Sequence, residues 1–218
     1  MKIANTKLSL LRVTQWVLVA IMFLAGALLY SYLPDMIPTH WNVNNQIDGW
    51  TPKIYGAWLI PGMALIFTIL FPLLRKIDPE SKNYDKFAKT WEVFQITIIG
   101  FLAYMYAITS YVALNVDKSY LVGRLVMLGL GVMFIILGNY MGKIRHNYFV
   151  GIKTPWTLAD PEVWQKTHRL AGWIFVAAGL LVLLMAFFWM QYIWPFFIAI
   201  ILAIVIIPMF YSYWISRK

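Results

Sequence analysis

Leu125-Val126-Met127-Leu128-Gly129-Leu130-Gly131-Val132-Met133-Phe134-Ile135-Ile136-Leu137 carries no charge and no hydrogen-bonding side chain. Extended outward to Tyr120 and Met141, the run passes the ~20 helical residues needed to cross a ~30 Å hydrocarbon core. It is unbroken rather than alternating, so a helix is the span it predicts. Five more runs share the pattern: Val13–Leu33, Ile54–Leu74, Trp91–Leu114, Leu170–Met190 and Trp194–Ile215. A very short turn at Gln191 to Ile193 separates the last two. The first run follows Lys2, Lys7 and Arg12, like a signal peptide, but it is too long and lacks a small-residue cleavage site. The 218 residues are 61% hydrophobic and 12% charged, against about 25% charged in soluble domains. The expected fold is all-α, a polytopic membrane bundle of six transmembrane helices whose first partner is the lipid bilayer.

Charge sorts the loops. Lys2, Lys7 and Arg12 precede the first span; Arg75, Lys76, Lys82, Lys86 and Lys89 follow the second. Lys143, Arg145, Lys153, Lys166 and Arg169 follow the fourth, and Arg217 and Lys218 end the chain. Only Lys53, Lys118 and Arg124 of the 18 basic residues fall on the other side. The positive-inside rule then predicts an N-in/C-in topology, with a long cytoplasmic loop, 142–169, between helices 4 and 5. The same asymmetry accounts for the net charge of +9, so no direct nucleic-acid partner is expected. There are no cysteines, which removes disulfide and thiolate chemistry.

The outer loop, 34–53, contains Pro34, Pro38 and Pro52, which favour extended or turn geometry. Asp48-Gly49 reads as a turn, and Trp41 and Trp50 suit the headgroup layer. An anchored connector and a binding surface are equal readings of this loop. The 75–89 loop mixes Asp78, Glu80 and Asp85 with its bases and reads as a solvated turn plus a helix entry. Glu92 and Gln95 are shallow enough to snorkel. Arg124 can pair with Asp117 or face a cavity, and the pairing is the favoured reading. Pro61-Gly62 and Pro208 are expected to bend their spans. Gly138 and Gly142 have the spacing of close helix contacts, with packing inside the bundle favoured over a dimer seam. The loop near Asn115 divides the chain into modules 1–116 and 117–218.

The long loop carries the densest chemistry. Gly151 permits a turn, and Pro155 forces Thr154 out of helix. Thr154, Thr157 and the Trp156 indole are expected to project from this turn. Asp160-Pro161-Glu162 is a helix start. The helix it opens places Val163, Trp164, Thr167, Leu170 and Ala171 on one face, with Glu162, Gln165, Lys166 and Arg169 opposite. Trp164 and His168, four apart, should stack. His168 can be read as a ligand, a proton-sensing group or a packing residue. Catalytic templates are missing, so no catalytic residue is assigned. His40 and His168 lie on opposite sides of ~30 Å of hydrocarbon. Asp35, His40 and Asp48 on one side, and Asp160, Glu162 and His168 on the other, lack a recognised ligand spacing. No metal or cofactor is expected.

These residues resemble the SdpI family of bacterial immunity proteins. The likeness lies in Gly138-Asn139-Tyr140-Met141, Asn147, Gly151-Ile152-Lys153-Thr154-Pro155-Trp156-Thr157-Leu158, Trp164 and Thr167-His168-Arg169. The outer loop is similar to an uncharacterised module that often precedes that family. It matches through Leu33-Pro34-Asp35-Met36-Ile37-Pro38-Thr39-His40-Trp41-Asn42 and Gln46-Ile47-Asp48-Gly49. Lys153 stands where the family usually has Arg, and Asn45 where it usually has Gly. The resemblance implies a six-span protein of the bacterial plasma membrane that protects against a secreted peptide toxin. It also implies a receptor that holds a cytoplasmic transcriptional repressor at the membrane. Topology would turn Pro38, His40, Trp41, Asn42 and Asp48 toward the toxin. It would turn the cytoplasmic motif, with Lys153, Thr154, Trp156 and Trp164 foremost, toward the repressor. A small transporter or channel is the alternative, and a membrane enzyme built on Asp160, Glu162 and His168 a third.

Overall fold

A computed structural model describes residues 9–188 and 193–218. Lys2, Lys7 and most of the Gln191 to Ile193 turn lie outside the described residues. The chain runs through α1 (Leu10–Leu29), β1 (Met36–Trp41), β2 (Ile47–Pro52), α2 (Lys53–Ile77) and a 3-10 turn (Ser81–Phe87). It continues through α3 (Ala88–Leu114), a second 3-10 turn (Val116–Leu121), α4 (Val122–Met141), α5 (Pro155–Ala159), α6 (Pro161–Phe188) and α7 (Ile193–Ile215). Among the described residues, α1, α2, α3, α4, α6 and α7 lie in six segments that are long and apolar enough to cross a membrane. Their alternation defines a hairpin end, with β1 and β2, and a motif end, with the 142–160 connection.

The helices α1, α2 and α3 pack on one another, α4 and α7 pack on α6, and α3 meets α4 between the two sets. Glycine sets the α4–α6 seam. A Cβ on Gly138 would lie 2.7 Å from the Gly172 carbonyl oxygen, and one on Gly179 2.6 Å from that of Gly131. Backbones this close leave no room for a side chain, so Gly138 serves packing inside the bundle, as expected, whereas a Cβ on Gly142 would make only ordinary contact with Arg169, at 3.4 Å.

The 34–53 loop departs from a purely helical fold by forming an antiparallel hairpin. Ile37 buries against Leu33, Ala57 and Ala113. Asp48-Gly49 is not the turn, because both lie within β2. The reversal is at Asn42–Gln46, where the Asn42 Oδ1 accepts from the Asn44 and Gln46 N–H groups at 2.9 and 3.0 Å. Asn45 adopts φ +60°, a conformation that Asn tolerates better than most residues. Gly49 faces His40, whose Cβ a side chain would meet at 2.7 Å.

Three polar residues differ from their sequence reading. Glu92 does not snorkel: it accepts the Arg12 guanidinium at 3.1 Å, tying α1 to α3. Gln95 is buried. Asp117 pairs with its neighbour Lys118 at 2.9 Å instead of with Arg124. A lysine one residue away reaches the carboxylate without constraining the helix that carries Arg124.

Candidate functional site

At the motif end the connection after α4 folds into a buried knot. Its centre is Asn147, which is 0% exposed. The Asn147 Nδ2 donates to the Arg145 and Val150 carbonyls at 2.9 and 3.0 Å. Its Oδ1 accepts from the Phe149 and Val150 N–H groups at 3.0 and 2.7 Å. One amide side chain thus replaces the ladder that a regular element would supply. The Tyr84 hydroxyl reaches the same Oδ1 at 3.3 Å and donates to Asp78 at 2.9 Å. Asp78 also accepts the Tyr148 N–H at 3.0 Å, and Asn83 donates to the His146 carbonyl at 3.0 Å. The α2–α3 loop is therefore not a solvated turn. Asp78, Tyr84 and Phe87 are buried, and the loop forms one wall of the knot.

The α6 helix begins as its sequence indicates. Asp160 Oδ1 caps it by accepting the Glu162 N–H at 2.6 Å. Asp160→Ala should cost about 1 kcal/mol, read as a small fall in the unfolding midpoint of the protein in lipid nanodiscs. Trp164 and His168 stack with ring centroids 4.1 Å apart. The Trp164 Nε1 donates to the Ile144 carbonyl at 3.0 Å. The Ile152 N–H donates to His168 Nε2 at 2.9 Å, so Nδ1 holds the proton and donates to the Trp164 carbonyl at 2.8 Å. That is the neutral tautomer with both nitrogens committed to backbone. Gly151 has φ +119°, and a Cβ there would run into the His168 ring. Of the three readings of His168, the packing one fits this geometry.

Thr154 and Thr157 do not project outward. They form a capping box at the start of α5, with the Thr154 N–H donating to Thr157 Oγ1 at 2.9 Å. The Thr157 hydroxyl donates on to the Ile152 carbonyl at 2.8 Å. Thr154 Oγ1 lies 3.0 Å from Ser212 Oγ, which joins α7 to the knot. Thr167 Oγ1 is buried without a hydrogen-bond partner. Thr154 and Trp164 are thus shielded from any partner, because their hydrogen bonds point into the knot. Trp156 is half-buried against Tyr213 at 5.0 Å, while Lys153 and Pro155 are exposed. Lys153 Nζ donates to the Tyr148 and Phe149 carbonyls at 3.3 and 3.2 Å. Asn139 is exposed and donates to the Ile135 carbonyl at 2.9 Å. Asp160, Glu162 and His168 form no cleft: Asp160 caps the helix, Glu162 pairs with Lys166, and His168 is packed dry.

At the hairpin end His40 Nδ1 and Asp48 Oδ1 lie 2.6 Å apart on the exposed face. Pro38 is buried and Trp41 half-buried, its Nε1 without a partner. Asn42 is occupied by the turn, and Asp35 pairs with Lys53 at 3.1 Å. Among the described residues no three His, Asp or Glu side chains converge as metal ligands. The sequence reading missed Asp78, Asn83, Tyr84 and Ser212. Two aromatics, Tyr84 and Phe87, in the charged 75–89 loop were the available sign.

Residues 143–212 match the model of the SdpI/YfhL protein family, and residues 17–65 that of a domain of unknown function (DUF1648). The chain is 29% identical over 202 residues to "Immunity protein SdpI" of Bacillus subtilis (strain 168), covering 93% of this chain and 94% of the relative. No solved structure matches it. With six apolar helices and this likeness, the chain is a multi-pass bacterial membrane protein. The stretch that resembles the SdpI/YfhL protein family therefore begins in the knot around Asn147 and runs on through α6 into α7.

Proposed function

We propose that this protein is an immunity protein that gives its cell resistance to a secreted antimicrobial peptide. The observation that carries this reading is the likeness to an immunity protein across nearly the whole of both chains. In this proposal the hairpin end faces outward. His40, Asp48 and Trp50 form an exposed ledge suited to an amphipathic peptide at the outer surface. Pro38, Trp41 and Asn42 hold the ledge in shape. The motif end faces the cytoplasm and offers Lys153 and Trp156 to a repressor protein, while the knot behind them keeps their spacing.

Transmission between the ends needs an element that touches both, because a ligand acts only through differential contact with two states. The α7 helix has that placement. Trp194 Nε1 donates to the Val43 carbonyl in the hairpin turn at 2.8 Å, and Ser212 meets Thr154 at the other end.

Survival of toxin-challenged cells is the test. At equal protein levels, His40→Ala should reduce protection, whereas Trp156→Ala should protect but leave the repressor in the soluble fraction. Full protection and full recruitment by both variants would overturn the assignment. Orientation is tested separately. The chain lacks cysteine, so Asn44→Cys should react with an impermeant maleimide on intact cells and Lys153→Cys should not.

A further inference from the structure

The seam between α3 and α4 holds two cavities on one continuous face. At the motif end is a bowl of about 540 Å³ lined by Lys86, Lys89, Lys143 and Arg145, among others. Its one acid, Asp85, is already paired with Arg75 at 2.5 Å. Among the described residues none of the four bases forms an ion pair, although Lys143 Nζ lies over the Tyr140 ring at 4.4 Å. Deeper along the same two helices is an apolar groove of about 500 Å³, between Ile96 and Tyr104 on α3 and Leu128 and Ile136 on α4. On α4, Leu128, Val132, Ile136 and Tyr140 recur every four residues, so groove and bowl share one stripe. Tyr104 ends the groove by donating its hydroxyl to the Leu125 carbonyl at 2.8 Å. From residue 96 to residue 104 the groove runs ~12 Å at the helical rise. One leaflet of the hydrocarbon core is ~15 Å deep.

We propose that this seam is a binding site for an anionic phospholipid, with the phosphate headgroup in the bowl and one acyl chain in the groove. Charge selects the head: four bases surround a cavity whose only carboxylate is neutralised. Depth and polarity select the tail, since the groove opens between two membrane helices at the level where water is absent. Gly100 lines the groove. A Cβ there would meet nothing within 4 Å, although glycine is a poor helix residue. The proposal rests on the membrane-spanning fold alone, and it stands or falls independently of the immunity reading.

The test is native mass spectrometry of the full chain released from mild detergent, titrated with phosphatidylglycerol or with phosphatidylcholine of the same acyl chains. Wild type should retain phosphatidylglycerol in preference. Lys89→Gln with Lys143→Gln should weaken its retention about thirtyfold, from about 1 kcal/mol per base at a membrane surface. Gly100→Phe should displace the tail and lower retention of both lipids. The matched Gly62→Phe change, at another helical glycine with open space around it, should not. Glycerol phosphate, which has the head without the tail, should compete weakly. Equal retention of the two lipids by wild type, retention unaffected by the double lysine variant, or a Gly100→Phe protein that binds as wild type does would each overturn the site. Strong competition by glycerol phosphate would overturn the lipid as occupant, leaving a site for small phosphates. Unfolding midpoints of all variants in detergent check that lost binding is not lost fold.

Discussion

Asn147→Ala should unfold the motif end. Four backbone groups lose their partner at once, because the side chain bonds the Arg145 and Val150 carbonyls and the Phe149 and Val150 N–H groups. Each buried group left unsatisfied costs about 1–3 kcal/mol. Local rearrangement can recover some of them, so the expected loss is about 3 kcal/mol or more, enough to remove much of a typical domain's stability. Asn147→Asp separates the halves of the effect. It keeps the acceptor for the two N–H groups and Tyr84, but sets a carboxylate against two carbonyls. Tyr84→Phe should cost far less, since its bond to Asn147 is long and Asp78 still accepts the Tyr148 N–H. Thermal unfolding in nanodiscs gives the ranking, and limited proteolysis between residues 142 and 160 gives its location. If Asn147→Ala melts with wild type and resists protease, the knot is not what holds this end.

Gly138→Leu should be comparably severe for a steric reason. A Cβ at this position would stand 2.7 Å from the Gly172 oxygen, 2.8 Å from the Val176 nitrogen and 2.9 Å from the Phe175 Cβ. Two of those atoms belong to the α6 backbone and cannot rotate away. The helices must separate, which also loosens the Gly131–Gly179 contact along the same seam. Overpacking commonly costs about 1–3 kcal/mol, and a leucine forced between backbones belongs at or above the top of that range. Gly62→Leu, with nothing within 4 Å of its Cβ, should be close to neutral. Unfolding midpoints and size-exclusion profiles decide between two roles for the seam. A Gly138→Leu protein that stays folded but changes its oligomeric state would reassign these glycines to contacts between copies.

Much of this was legible in the residues. The unbroken apolar runs marked every span, and the bounds shifted by a few residues where capping decided the end. The first helix ends at Leu29 rather than Leu33 because the chain turns there into the hairpin. The α6 helix begins at Pro161 because Asp160 caps it. The Trp164–His168 stack followed from a spacing of four. In each case the partners are near in sequence, and local geometry fixes them. The reading of projecting threonines failed for the opposite reason. Residue type shows that Thr154 and Thr157 can hydrogen-bond, but not whether water or the protein supplies the partner. Asp78 and Tyr84 were invisible as site residues because their partners lie 70 and 63 positions away.

Sequence alone determined that the chain is a membrane helix bundle, where its spans lie and which loop carries the family motif, since these follow from hydropathy, chain length and local spacing. Only the tertiary structure decided that this motif turns inward. Asn147, Trp164 and His168 bond to backbone, and Thr154 to Thr157 and Ser212, leaving Lys153 and Trp156 at the surface. The reason is that burial of a polar group depends on where distant segments bring their donors and acceptors, and no periodicity in the chain encodes that meeting.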